Sequence, residues 1–138
     1  MTAAPYEPNE LLSRLVGDRM YSVEFVVNDY VQLRFDGPPG GGPIVLNSFV
    51  WPAVQTAGRL WHEHDLGYAD ALRRLTPGVV ISTSEATGSG IRLELETGTV
   101  VIHPAKEDVY VEIAELRGFP DQAWMVWRPG EDSFEDLA

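Results

Sequence analysis

Three histidines are the side chains whose type and spacing best fit metal or catalytic chemistry. His62 and His64 flank Glu63, so on a strand both imidazoles would project from one face, and Asp65 follows directly. Two imidazoles and a carboxylate are ligands that Zn²⁺ or Fe²⁺ takes in proteins, and His103 would supply a third imidazole if its strand lay alongside. The sequence therefore offers His62, His64 and His103 as a candidate metal set.

A structural interpretation of the same segment stays open and needs no ligand. The segment leads into a predicted helix over 67–75, and on a helix His62 and His64 would diverge. Asp65 is a typical helix-capping residue. The His-Glu-x-x-His spacing of zinc proteases does not occur, and the serines and the Gly-rich segment 36–43 lack nucleophile-elbow and phosphate-loop patterns. We therefore assign no catalytic residue and no cofactor.

Three tryptophans form a second candidate set, for contact with a partner. Trp124 and Trp127 face opposite sides of a regular strand, so one of them would be exposed, and Trp61 directly precedes His62. Tryptophan buries a large apolar area while keeping a polar N–H group, and it is enriched in binding surfaces. Trp124, Trp127 and Trp61 are therefore candidate interaction residues, with packing in the core as the alternative.

The bulk composition predicts one soluble domain, 1–138, in the cytoplasm. A chain of 138 residues that is 44% hydrophobic has the usual size of a single domain. The sequence contains no cysteine, which excludes disulfides, thiolate metal sites and a cysteine nucleophile. The first residues do not resemble a signal peptide, and the apolar runs are shorter than the roughly 20 residues of a membrane span. We therefore expect no contact with a membrane.

The charge balance restricts the class of partner. The sequence has 21 acidic and ten basic residues, for a net charge of −11. Such a chain repels phosphate backbones, so we expect no nucleic-acid binding. The same charge accelerates encounter with a basic protein.

Two stretches about sixty residues apart resemble each other, roughly 9–50 and 66–103. Each predicts a short helix followed by three strands, and short turns between consecutive strands predict antiparallel pairing. The recurring residues are Leu12, Arg14, Leu15, Ser22 and Leu33 in the first copy, and Leu72, Arg74, Leu75, Ser82 and Leu93 in the second. We therefore expect a β-rich α+β fold in which two pseudo-repeated helix–β-meander units share one core, with a partly open barrel as one arrangement.

Residues after the second copy predict a C-terminal strand region, 109–128. Alternating β-branched residues favour a strand over 109–116, although helical spacing is also present there, and 123–128 predicts a last strand. The acidic tail, 131–138, is expected to fray, with Phe134 and Leu137 as side chains that would hold it if it packed back.

Three pieces of the chain resemble small single-domain proteins of actinobacterial type whose function is unknown. The pieces are 15–17, 29–37 and 126–131, and the resemblance spans most of the chain. They contain turns, strand alternation and a closing strand. The resemblance therefore implies a fold but no catalytic residue.

The leading functional hypothesis is a non-enzymatic binding module, either an acidic immunity-type protein or a regulatory protein for a basic partner. Charge complementarity and the lack of a catalytic motif favour it, and a homodimer through a strand edge or an exposed aromatic face is compatible with it. The first alternative is a small-ligand-binding protein or enzyme with a cavity between the two halves. The second alternative is a metal-dependent enzyme that uses His62, His64 and His103.

Overall fold

The computed structural model describes residues 6–26, 29–109 and 111–137, and within them the chain is built mainly of strands. Helices are few and short: α1 is Glu10–Ser13, α2 is Tyr68–Arg73, and two 3-10 segments span Lys106–Asp108 and Asp132–Leu137. The strands are β1 Arg19–Val26, β2 Tyr30–Phe35, β3 Ile44–Ser48, β4 Ala53–Thr56, β5 Arg59–Trp61, β6 Gly78–Ala86, β7 Gly90–Leu95, β8 Gly98–Ile102, β9 Ala114–Arg117 and β10 Met125–Trp127. In the described ranges no helix is long and apolar enough to cross a membrane.

The ten strands form one open antiparallel sheet in the order β10-β9-β3-β2-β1-β6-β7-β8-β4-β5. Its middle is the pairing of β1 with β6, where Arg19 lies opposite Val79 and Met20 opposite Gly78. The strands at its two ends are β10 and β5. The predicted β-rich α+β class is therefore confirmed.

Alternating apolar side chains explain why the central strands form and which face they bury. In β2, Val31, Leu33 and Phe35 are fully buried, and the corresponding positions of β7 are buried in the same alternation. A strand with this period places every second side chain in the core. The largest fully buried side chains are Trp127, Phe35, Phe134, Leu12, Leu15, Met20, Leu33, Ile44, Leu46, Leu72, Leu75 and Ile91.

Positions sixty apart occupy the same place in the two central strand pairings. Val23 lies opposite Leu33 in the first pairing, and Thr83 lies opposite Leu93 in the second. Each pairing shifts register after its first partner, between Met20 and Ser22 and between Val80 and Ser82. A bulge of this kind adds one unpaired residue and bends the strand. Both halves of the sheet therefore bend at equivalent points.

Two predicted elements are shorter than expected. The strand predicted over 109–116 begins only at Ala114, although Ile113 still donates to the Trp127 carbonyl and accepts from the Phe49 N–H; Tyr110 lies outside the described residues. The first helix has four residues. Asn9 is the N-cap residue, but its side chain makes no capping hydrogen bond and bonds instead to the backbone carbonyl and the hydroxyl of Thr83. A tertiary contact therefore replaces the local cap.

The acidic tail does not fray between residues 132 and 137, which corrects the prediction for 131–138. The 3-10 segment Asp132–Leu137, hereafter the C-terminal segment, buries Ser133, Phe134 and Leu137. Burial of the Phe134 and Leu137 side chains stabilises this packing by on the order of 1.5–3 kcal/mol each, and the neighbouring acids stay exposed to water. Ala138 lies outside the described residues.

A buried carboxyl group, that of Glu85 in β6, connects four separate parts of the chain. Its Oε1 accepts a hydrogen bond from the Asn9 backbone N–H at 2.8 Å. Its Oε2 accepts from Trp127 Nε1–H in β10 and from the Ser133 hydroxyl in the C-terminal segment, both at 2.8 Å. Three donors satisfy a group that would be costly to bury alone. Glu85 therefore fixes both chain ends against β6.

We expect Glu85→Ala to lower the free energy of unfolding by about 3 kcal/mol, because Trp127 Nε1–H, the Ser133 hydroxyl and the Asn9 N–H would lose their acceptor in the core. Glu107→Ala, which removes an exposed carboxyl group, is the matched control and should change stability by less than about 0.5 kcal/mol. Urea unfolding followed by tryptophan fluorescence measures both variants. Equal stability of the two variants would show that the Glu85 hydrogen bonds do not hold the chain ends.

Candidate functional site

A groove of about 890 Å³ opens where three connecting segments meet. These segments follow β3, β5 and β8, and the turn before β2 completes the wall. The lining residues are Asp29, Phe49, Val50, Trp51, Ala53, His62, Glu63, His64, Val101, His103, Pro104, Ala105, Asp108, Val111 and Glu112. We call this feature the acidic groove.

The ionisable side chains of the acidic groove are acids and histidines. Four carboxyl groups line it, those of Asp29, Glu63, Asp108 and Glu112, together with the three histidines of the chain. None of the described residues that line the groove is lysine or arginine. Because the acids lie on different connecting segments around one concave surface, their fields add within it. The groove therefore attracts cations and repels anions.

Stacked aromatic rings hold one wall of the groove in place. The Trp51 ring lies between Phe25 and Tyr68, at centroid distances of 5.4 and 5.8 Å. The Tyr68 hydroxyl donates a hydrogen bond to the Pro52 carbonyl. Burial raises the pKa of Tyr68, and the charge of Glu63 adds to the effect, so the phenol stays neutral. Trp51 therefore enters the groove from a fixed position.

His62 and His64 lie on the rim of the groove, in the turn between β5 and α2. The His62 backbone N–H donates to Asp65 Oδ2 at 2.8 Å, and the His62 imidazole lies 3.9 Å from the same oxygen. The His64 side chain is 94% exposed beside Glu63. Asp65 was expected to cap the following helix, but the N-cap is Gly67 and Asp65 instead closes this turn.

The His103 side chain contacts the C-terminal segment. Its Nε2 lies 3.0 Å from Asp136 Oδ2, and its ring stacks on Phe134 at 6.5 Å between centroids. The hydrogen bond from His103 holds the pKa of Asp136 below its usual range, because it favours the charged carboxylate. His103 therefore links the end of β8 to the C-terminal segment at the edge of the groove.

The candidate metal set is not assembled, which corrects that prediction. His62, His64 and His103 line one groove, but in the described ranges no three His, Asp or Glu side chains are grouped so that they could hold a metal ion. The reasons are that His103 is held by Asp136 and Phe134, whereas His64 points to solvent. A metal centre needs several ligands that converge on one point.

The three candidate tryptophans have different environments. Trp127 is fully buried, so it packs in the core and is not available to a partner, contrary to its assignment as an interaction residue. Trp124 is 65% exposed. Trp61 is partly buried beneath the Arg59 guanidinium, 3.9 Å from the ring centroid, and its Nε1 has no hydrogen-bond partner among the described residues. Of the three, Trp124 is the most accessible.

Several groove residues had no signal in the sequence. Trp51 belongs to a segment that joins two strands, and Asp108 and Glu112 precede β9 in a stretch that resembled a strand. Isolated acids in connecting segments carry no spacing that distinguishes a shared groove from ordinary solvated surface. Only the tertiary arrangement brings them together.

Comparisons with protein-family models, with functionally described proteins and with solved structures gave no match. The resemblance to proteins of actinobacterial type is therefore untested and stays a prediction.

We expect His103→Phe to raise the pKa of Asp136 towards its ordinary value, because the substitution removes the hydrogen bond that favours the charged carboxylate. Phenylalanine is chosen because it keeps an aromatic ring at this position. A carboxyl group with a lowered pKa stabilises the folded protein above its unfolded-state pKa of about 4, and that contribution disappears as the pH falls through the lowered value. Carboxyl-carbon NMR titration measures the shift.

Asp121 is the internal control for this titration. The Ala123 backbone N–H and the Arg14 side chain lower the pKa of Asp121, and neither involves His103, so its value should not change in the variant. An unchanged Asp136 titration in His103→Phe would contradict the assigned cause.

Proposed function

We propose that the protein is a non-enzymatic binding module whose acidic groove takes a basic segment of a partner protein. The observation that carries the proposal is the lining: four carboxyl groups, three histidines and two partly exposed aromatic side chains, without a lysine or arginine among the described lining residues. A lysine or arginine side chain entering the groove would meet carboxylates for charge-assisted hydrogen bonds. Its aliphatic part would also meet the partly exposed aromatic side chains of Phe49 and Trp51.

The charge of the whole protein supports the same class of partner. A net charge of −11 steers basic proteins towards the surface, and the groove concentrates that field at one place. The same lining disfavours nucleic acid, because phosphates would approach four carboxyl groups and no lining lysine or arginine. An immunity-type or regulatory protein that neutralises a basic partner uses this complementarity. The absence of cysteine from the sequence supports the proposed cytoplasmic location.

The state of Glu85 supports a non-enzymatic role. It is the buried carboxyl group of the described residues, and acid–base catalysis commonly uses such a group. Here three donors from the core and the chain ends occupy both oxygens. Glu85 therefore has a structural role and is not directed at a substrate.

The volume of the groove favours a second candidate, a small cationic ligand. Pockets for small molecules measure roughly 300–1,000 Å³ and combine apolar walls with a few polar groups. The acidic groove has that size and that mixture. A compact cation and a basic segment would use the same carboxylates, so the two candidates differ in the length of ligand that binds best.

We also infer that the two helix–β-meander units are true repeats and that the sheet curls towards a partly open barrel. Equivalent registers and bulges at positions sixty apart support the repeats. The hydrogen bond from Trp127 to Glu85 supports the barrel, because it joins the end strand β10 to β6 across the order of the sheet.

Removing three negative charges from the acidic groove should weaken its binding of a basic segment. The probe is a hexalysine peptide, and the test variant is Glu63→Gln/Asp108→Asn/Glu112→Gln. We expect its affinity to fall about tenfold, since three exposed charge interactions contribute roughly 0.5 kcal/mol each. Isothermal titration calorimetry at low ionic strength measures the affinity, which should weaken as salt shortens the Debye length from about 30 Å to about 3 Å.

The matched control is Asp70→Asn/Glu94→Gln/Glu131→Gln, which removes the same number of negative charges from exposed positions outside the groove lining. It should bind hexalysine nearly as well as the parent protein. An equal loss of hexalysine affinity in both triple variants would contradict binding in the acidic groove and would indicate non-specific attraction to the charged surface. Tight binding of lysine amide, with no gain from the longer peptide, would favour the small-ligand candidate.

A further inference from the structure

A second surface, separate from the acidic groove, surrounds the exposed Trp124. A cleft of about 470 Å³ lies beside this side chain. The cleft is lined by Glu115, Arg117, Gly118, Phe119, Gln122, Ala123 and Trp124, which we call the Trp124 patch. Phe119 is buried at its base, and the Arg14 guanidinium lies 5.2 Å from the Phe119 ring centroid. An indole with 65% of its surface exposed beside a cleft of mixed polarity offers a large aromatic area and a polar N–H group to a partner.

The patch adjoins an end strand of the sheet. β10 pairs with β9 alone among the described strands and follows directly after Trp124. Its residues Met125, Val126 and Trp127 carry no charge. Proteins usually protect sheet edges with charged residues or proline against pairing with another chain. β10 is only three residues long and is followed directly by Arg128 and Pro129, so a partner would contact the Trp124 side chain and would not extend the sheet.

The two charged side chains that line the Trp124 patch, Glu115 and Arg117, balance each other, whereas the whole protein is acidic. Arg117 Nε lies 3.5 Å from Glu115 Oε1; beside the patch, Arg14 pairs with Asp121 at 3.0 Å and with Glu10 at 3.1 Å. In a chain with a net charge of −11, a second copy would be repelled at the acidic groove. At the Trp124 patch the two copies would meet with locally neutral surfaces.

We propose that the Trp124 patch is the interface of a homodimer. A two-fold axis brings the same patch of both copies together, so each Trp124 packs into the cleft of the other copy and each Arg117 faces the Glu115 of its partner. The patch carries both a positive and a negative side chain, so two identical patches related by the two-fold axis can pair opposite charges. A buried tryptophan at the centre of an interface commonly carries much of the binding energy. This inference is independent of the ligand of the acidic groove.

Sedimentation equilibrium on the full chain, without any partner, tests the dimer. Between about 1 μM and about 1 mM, the parent protein should pass from monomer to dimer. Trp124→Ala should raise the dissociation constant at least about tenfold. Arg117→Glu, at an exposed position, should also raise it, because four acids would then face one another across the axis. Neither variant alters a core residue.

Leu66→Ala is the matched control, since it truncates an apolar side chain that is 96% exposed and does not line the Trp124 patch. It should dimerise like the parent protein. A parent protein that stays monomeric over the whole range overturns the proposal. A dimer that neither Trp124→Ala nor Arg117→Glu weakens overturns it as well, because two copies would then meet elsewhere.

Discussion

The hydrogen bonds of the Glu85 carboxyl group are the constraint on which the rest of the structure depends. They join Asn9, Trp127 and Ser133, which lie 76, 42 and 48 residues away from Glu85 in sequence. A buried carboxyl group is expensive unless every oxygen is satisfied, so the site accepts one arrangement of the three donor segments. Tyr6 extends the network, because its hydroxyl also accepts from Trp127 Nε1–H at 3.2 Å. Both ends of the described chain are thereby held against one strand.

This network reaches the acidic groove through the C-terminal segment. Ser133 bonds to Glu85, the neighbouring Phe134 stacks on His103, and Asp136 accepts a hydrogen bond from the same imidazole. His103 in turn lines the groove at the end of β8. Elsewhere in the groove wall, Trp51 is held in place by packing against the rings of Phe25 and Tyr68, without charged groups. The groove therefore combines rigid aromatic walls with acids carried by connecting segments.

The sequence predicts the strands well because their pattern is local. Alternation along Val31, Leu33 and Phe35 identifies a buried face whatever the strand pairs with, and the recurrence sixty residues later identifies its counterpart. The tail was mispredicted because its order comes from contacts of Phe134 and Ser133 with residues far away in sequence. A short polar side chain suits several roles, so sequence alone does not choose among them: Asn9 bonds to the distant Thr83, and Asp65 closes the local turn at His62.

The candidate site was only partly visible in the sequence. The three histidines do line one groove, but no sequence pattern indicates how far His103 lies from the other two or that Asp136 would bond to it. The aromatic and acidic residues of the connecting segments have no spacing of their own, so only the tertiary fold brings Trp51, Asp108 and Glu112 to one groove.

The most direct test of the acidic groove as a binding site is an NMR titration that follows the backbone amides and the four indole N–H signals while a hexalysine peptide is added. If the groove is the binding site, shifts will concentrate at Trp51, His62–His64 and 103–112, whereas the indoles of Trp124 and Trp127 stay unchanged. Shifts spread over all exposed acids, or centred on Trp124, would contradict it.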